Sequence, residues 1–421
     1  MISVLKKIVF SYFVLLSIFL FSLILVCLIP SSLLKNNIGT SLTTLKSEGT
    51  YPTAGFPLRP IVLDNFTDPV MLNTAYSVDS NQPIRSALTN IRHAASPDEI
   101  NQIINLESLY KNQAKVTFGY ERYWHGYLVY LRPLLVFFPY SVIRIIISIS
   151  LYVALLFFLF QSWKKLGKKA TIYFLIGLVA VDFFSIGKSM QFSGVFLIGL
   201  LGSVYLLSTY KKNQNSYPLF FIIGGLTSFI DLLTAPLASL GMILIIQAFL
   251  NKKSKMLLYS LSWSIGYLSL WFSKWAIAQA FFTPGAINTS FNQIVNRTVT
   301  KADANFSIVN ALRLNIFQLI GYNRMEQISL LILFGVIFFI SIRYFSFSIK
   351  KLKTITPWVI IAFIPYVWYA IAANHSYLHV WYTYRNQFMS VVVACFIYSE
   401  FIDWERVNES FKKFTSKSSK N

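Results

Sequence analysis

The chain has 421 residues, of which 55% are hydrophobic and only 13% charged, with a mean hydropathy of +0.56. So little charge cannot cover the surface of a soluble domain of this size, which excludes an ordinary water-soluble globular fold. The net charge of +21 would suit a nucleic-acid binder, but the basic residues stand in short clusters between apolar runs. That is how a membrane protein marks its cytoplasmic loops, and no nucleic-acid partner is expected.

Lys6 and Lys7 precede an apolar stretch from Ile8 to Ile29. It is as long as a spanning helix and no small-x-small cleavage site follows, so it reads as an uncleaved first span over 8–30 rather than a secretory signal. The segment 31–137 comes next and is too long to be a mere connector. Within it a helix is expected to begin at Asp68-Pro69 and run through Met71, Leu72 and Ala75. Further on, Ser96-Pro97-Asp98-Glu99 reads as a capping box with proline at the first helical position. Ile100, Ile103, Ile104 and Leu106 follow on one face of an amphipathic helix, either lying on the membrane or packed over the bundle. Glu121-Arg122-Tyr123-Trp124-His125-Gly126-Tyr127 and Leu131-Arg132-Pro133 close the segment. Their rings suit an interfacial aromatic belt with snorkelling arginines. They equally suit a platform on which a sugar stacks while Arg122 or Arg132 grips a phosphate.

Nine more apolar runs follow, at 138–161, 171–187, 191–209, 217–233, 235–250, 257–282, 327–346, 356–373 and 387–403. With ten spans, the clusters Lys6/Lys7, Lys164/Lys165/Lys168/Lys169, Lys211/Lys212, Lys252/Lys253/Lys255, Lys350/Lys351/Lys353 and Lys412/Lys413/Lys417/Lys420 fall on one side. That side is the expected cytoplasm, with both termini in it and a basic tail over 404–421. The chain therefore reads as a single all-α integral membrane domain. It is a polytopic bundle of about ten helices with a large extracytoplasmic first loop at 31–137 and further outer loops at 283–326 and 374–386. Cys27 and Cys395 lie within apolar runs, so no disulfide framework is expected, and no Cys/His spacing suits zinc.

This topology brings the ionisable residues at span ends to one face, where such residues usually line a cavity. Asp64 and Asp68 are candidate general bases toward a hydroxyl; Asp68, standing before proline, is also a natural helix cap, whereas Asp64 has no evident local role. His375 and His379 share a face if 374–385 is helical, but the pattern lacks the glutamate of a metalloprotease. His375, His379 and Arg385 suit a phosphate site or an interfacial anchor. Arg122, His125, Arg132, Lys188 and Asp231 complete the candidate substrate-binding set. Lys274 reads as a snorkelling residue, as a partner of Asp182 or Asp231, or as a contact to an anionic lipid headgroup. No metal site is indicated, although a divalent metal is compatible with the residues, and no Gly-rich nucleotide loop is present.

A first span followed by a long outer loop carrying Leu63-Asp64-Asn65-Phe66-Thr67-Asp68-Pro69 resembles the GT-C superfamily of membrane glycosyltransferases. The resemblance implies that a polyprenyl-phosphate sugar enters from the outer leaflet and is transferred to a glycan or lipid acceptor of the cell envelope. An aspartate, Asp64 or Asp68, takes the acceptor proton, the sugar inverts in a single displacement, and fixed cations stabilise the departing phosphate. No cofactor is implied, and a bacterial plasma membrane is the expected location. An envelope polysaccharide polymerase or ligase has similar spans, but its large loop typically comes late in the chain. A lipid-linked-sugar transporter or flippase predicts broken helices in two related halves.

Overall fold

In the computed structural model, the structure describes residues 2–410 apart from 57–58, 212–214, 252–254, 299, 301 and 322. Lys212, Lys252, Lys253 and the tail lysines from Lys412 onward lie outside the described residues. Helix accounts for 76% of the chain and strand for 3%, and the protein is an all-α, membrane-embedded protein. Among the described residues, five stretches of helix are long and apolar enough to cross a membrane: Ser3–Cys27, Tyr140–Leu166, Met190–Thr209, Arg324–Ile342 and Lys351–Ile371. The other apolar runs are helical as well. Lys168–Ala180, Tyr217–Ile230, Leu237–Leu250 and Phe388–Glu400 are shorter than their runs, while Met256–Phe281 is 26 residues long but more polar. The shortening has local causes. The run at 171–187 breaks where Asp182 turns left-handed, at φ 56°. The long run across 217–250 is cut by the Asp231–Pro236 turn, in which Leu233 has φ 70°.

The first loop is a folded layer at the end of the bundle where helix Ile2–Cys27 finishes. It contains helices Lys35–Glu48, Thr67–Tyr76, Pro83–Thr89, Gln102–Tyr110 and Leu128–Phe137 and two small antiparallel strand pairs, Thr53–Phe56 with Arg59–Val62 and Arg92–Ala94 with Val116–Phe118. The helix expected at Asp68-Pro69 is present, beginning at Thr67. The expected capping box is not. Helix Gln102–Tyr110 starts three residues after that motif, capped by Asn101, whose Oδ1 accepts from the amides of Ile103 and Ile104, while Ser96–Glu99 is a turn. Its apolar face packs on its loop neighbours, with Ile103 and Leu106 buried.

Helices Tyr217–Ile230 and Met256–Phe281 touch backbone to backbone. A Cβ on Gly224 would sit 2.0 Å from the Trp263 carbonyl oxygen, and one on Gly266 would sit 2.1 Å from that of Phe221. Small residues allow this approach, by which helices associate in lipid without help from the hydrophobic effect.

Two buried cations tie the loop layer to the bundle. Arg132 donates to the carbonyls of Val26, Ile29 and Ala75, closing the ends of the first helix and of Thr67–Tyr76. Cations are favourable at helix C-termini, where carbonyls lack intrahelical partners. Lys274 neither snorkels nor pairs with a carboxylate. It is fully buried, donates to Ala87 O at 2.7 Å and Asn90 Oδ1 at 2.6 Å, and lies 5.6 Å from the Trp124 ring centroid. Arg132→Met strands the first helix's terminal carbonyls. It is expected to destabilise the protein by about 3 kcal/mol, read as a clear fall in melting temperature in detergent; an unchanged melting temperature would remove Arg132 from this role.

Candidate functional site

The two candidate aspartates, Asp64 and Asp68, exchange the roles their neighbours suggest. Asp64, not Asp68, closes the start of helix Thr67–Tyr76: its Oδ1 accepts from the amides of Phe66 and Thr67 at 3.0 Å each, and Oδ2 from the Thr67 hydroxyl at 3.0 Å. Asp68 instead reaches across to the bundle. It accepts from the amides of Met190 (2.9 Å) and Gln191 (3.2 Å) at the start of Met190–Thr209 and from the Tyr140 hydroxyl at 2.5 Å. Gln191 joins the pair, its amide proton on Asp68 and its side-chain amide on Asp64 Oδ2. Glu48 extends the network, pairing with Arg144 at 2.5 Å and accepting from Asn65 Nδ2 at 2.9 Å.

Both carboxylates are buried, and burial raises both pKa values above the ordinary aspartate range. Asp68 is pushed up to about 7, against hydrogen bonds from Tyr140, Met190 and Gln191 and with the Asp64 charge adding to the rise. The two differ in how firmly they are held. Asp68 is fixed by main-chain amides, whereas one oxygen of Asp64 faces only the side chains of Thr67 and Gln191, which can rotate away.

The facing wall is the 374–387 segment, which is helix Ala373–Leu378, a break at His379, helix Val380–Thr383 and a 3-10 turn over Tyr384–Gln387. An aromatic chain links it to the aspartates. Phe66 stacks on Tyr51 at 6.4 Å, and Tyr51 meets Trp381 edge-on at 5.6 Å. His379 stacks on Tyr382 at 5.1 Å, and Tyr382 packs on Phe192, next to Gln191, at 5.8 Å. Arg385 is buried with its guanidinium 4.5 Å from the Phe192 centroid; Nη1 donates to Trp381 O at 2.8 Å, while Nε and Nη2 have no hydrogen-bond partner among the described residues. His379 Nδ1, Trp381 Nε1 and Asn386 Nδ2 are likewise buried and unpartnered there. A concentration of unsatisfied donors around a buried cation is costly unless an acceptor completes it.

His375 and His379 do lie together, with ring centroids 4.8 Å apart. His375 has both nitrogens engaged: Nε2 donates to Leu233 O at 2.7 Å, which leaves Nδ1 to accept from Arg297 at 2.6 Å. Burial holds its pKa well below normal and lowers that of His379 to about 4, the nearby Arg297 charge adding in each case. Both imidazoles are thus neutral at physiological pH, and the His375 ring orients Arg297 rather than gripping a ligand. No group of three or more His, Cys, Asp or Glu side chains comes together among the described residues.

The remaining candidates stand elsewhere. Tyr123, Trp124, His125 and Tyr127 are buried core, neither an interfacial belt nor an open sugar platform; Trp124 donates to Leu270 O at 2.7 Å. His125 donates from Nε2 to Tyr120 O and accepts at Nδ1 from Tyr127, and burial lowers its pKa to about 3. Arg132 is engaged at Nε, Nη1 and Nη2 by main-chain carbonyls. Asp231 closes its own turn through Thr234, with Oδ1 accepting at 2.9 and 2.7 Å. Arg122 lies over the Tyr120 ring at 4.2 Å, and Lys188 is exposed near Glu48. The sequence reading missed Gln191, Tyr140, Glu48, Arg144 and Arg297. Gln191 left one legible trace, an amide at the head of an otherwise apolar run.

The Asp68 shift fixes a sign. The folded chain holds the Asp68 proton more tightly than the unfolded chain, so this contribution to stability is complete below about pH 4 and is lost as the pH climbs through about 7. Asp68→Asn has no such proton. It is expected to flatten the loss of stability across this window by up to ~1.4 kcal/mol per pH unit, measured as melting temperature against pH; parallel curves for the two proteins would refute the shift.

Comparison with family models, curated proteins and solved structures finds no match to this chain.

Proposed function

We propose that the protein is a membrane glycosyltransferase of GT-C type. It moves a sugar from a polyprenyl-phosphate donor to a glycan or lipid acceptor of a bacterial cell envelope, on the extracytoplasmic side of the plasma membrane. In this reading the chain crosses the membrane ten times, the shorter helices included, with the first loop outside and both termini in the cytoplasm. The observation that carries the reading is Arg385, a buried cation with two donor nitrogens unpartnered among the described residues, on the wall facing Asp64. Phosphate oxygens supply the missing acceptors, and guanidinium matches them in shape and charge. The aromatic chain from Tyr51 through Trp381 and Tyr382 offers faces for a sugar ring.

Asp64 is the base. The acceptor hydroxyl displaces the Gln191 amide from Oδ2 and gives its proton to Asp64 while its oxygen bonds the anomeric carbon. The bond from that carbon to the phosphate oxygen breaks with its electron pair, and Arg385, supported by His379 and Trp381, stabilises the charge left on the phosphate. Asp68 does not reach the substrate; it anchors Gln191 and the helix behind it.

Arg385→Met separates function from folding. Replacing an unpaired buried cation by an apolar residue is expected to leave the melting temperature unchanged or raise it. In a deletion strain the variant is expected to restore none of the envelope glycan that wild type restores, and Asp64→Asn, well expressed, is expected to fail as well. Full restoration by either variant, by glycan composition and linkage, would sink the corresponding role. A deletion that alters polymer length instead would favour a polymerase.

A further inference from the structure

A cavity of about 480 Å³ opens between Met190–Thr209 and Tyr217–Ile230, bordered by Lys7 of the first helix. It lies far from the aspartates. Lys7 and Cys27 are twenty residues apart on one helix, about 30 Å, and the first loop is tied to the Cys27 end through Arg132 and the Val26 carbonyl. The cavity's floor is aliphatic, with Leu201, Leu219, Ile222 and Leu226, and its polar lining includes Lys7, Lys211 and Asn215. The floor runs along the helix from Ile198 to Thr209, about 17 Å, close to half the roughly 30 Å hydrocarbon thickness of a bilayer. Both lysines are exposed.

We infer that this groove holds one anionic phospholipid, an acyl chain on the aliphatic floor and the headgroup phosphate between Lys7 and Lys211. An apolar trough one leaflet long, ending in two cations, complements such a lipid in length and in charge. Basic pockets between membrane helices take anionic headgroups for this reason. A zwitterionic lipid lacks the net charge, and free phosphate lacks the chain. The site stands independently of the proposed transferase chemistry at the other end of the bundle.

The test uses the full-length protein, delipidated in detergent and titrated with dioleoyl phosphatidylglycerol or dioleoyl phosphatidylcholine, read by native mass spectrometry and melting temperature. One phosphatidylglycerol is expected to be retained under conditions that strip phosphatidylcholine, with a rise in melting temperature and no competition from millimolar inorganic phosphate. The double substitution Lys7→Gln/Lys211→Gln is expected to weaken retention about tenfold or more. Leu201→Trp, which fills the groove and keeps both lysines, is expected to abolish it. Equal retention of the two lipids, full retention by either variant, or displacement by phosphate alone would overturn the inference.

Discussion

The open amides at the start of Met190–Thr209 are closed by Asp68, a residue 122 positions earlier in the chain than Met190, and the arrangement of the loop layer follows from that bond. A helix N-terminus carries about half a positive charge and several unpaired N–H groups, and this one has no side-chain cap of its own. Supplying the cap from Thr67–Tyr76 fixes that short helix against the bundle. It also sets Gln191 between the two carboxylates and leaves Asp64 as the one with an oxygen that only side chains guard. Arg132 performs the complementary task at the other pole, joining the C-terminal carbonyls of the first helix to those of Thr67–Tyr76. The helix bearing Asp68 is thus held at one end by its carboxylate and at the other by a guanidinium.

The membrane class, the folded first loop and the helix at Asp68 were legible because they depend on composition, on length and on residues adjacent in the chain. The segment from Asn374 to Arg385 was legible as a polar concentration for the same reason. The assignments that failed depended on groups far apart in sequence. Nothing around Asp68 says that its oxygens meet amides at 190 and 191. Nothing around Arg132 says that its donors meet carbonyls at 26, 29 and 75. The Tyr123-Trp124-His125 stretch has the composition of an interfacial belt, and it became core because loop and bundle close over it. At Ser96–Glu99 the helix was expected in the right region but its capping box was wrong, since Asn101 offers its side chain directly ahead of the apolar turn.

The wall facing Asp64 shows a different kind of constraint. Folding ordinarily pairs buried donors, as it does at Arg132, His125 and His375. Around Arg385 the pairing stops, within a segment whose backbone breaks from helix to turn over a dozen residues. Two buried arginines in one protein thus differ: the donors of Arg132 are met by main-chain carbonyls, and Nε and Nη2 of Arg385 are unmet among the described residues.

The reciprocal glycine contact between Tyr217–Ile230 and Met256–Phe281 sets a tolerance for the whole assembly. The same long helix bears Trp271 and Trp275, whose indoles donate to the Arg122 carbonyl, and Lys274, which grips the end of Pro83–Thr89. A single methyl group at 224 or 266 therefore acts as a spacer. By prising two helices apart it shifts, along a rigid lever, the three anchors that Trp271, Lys274 and Trp275 give the loop layer, while those at Asp68 and Arg132 stay on other helices.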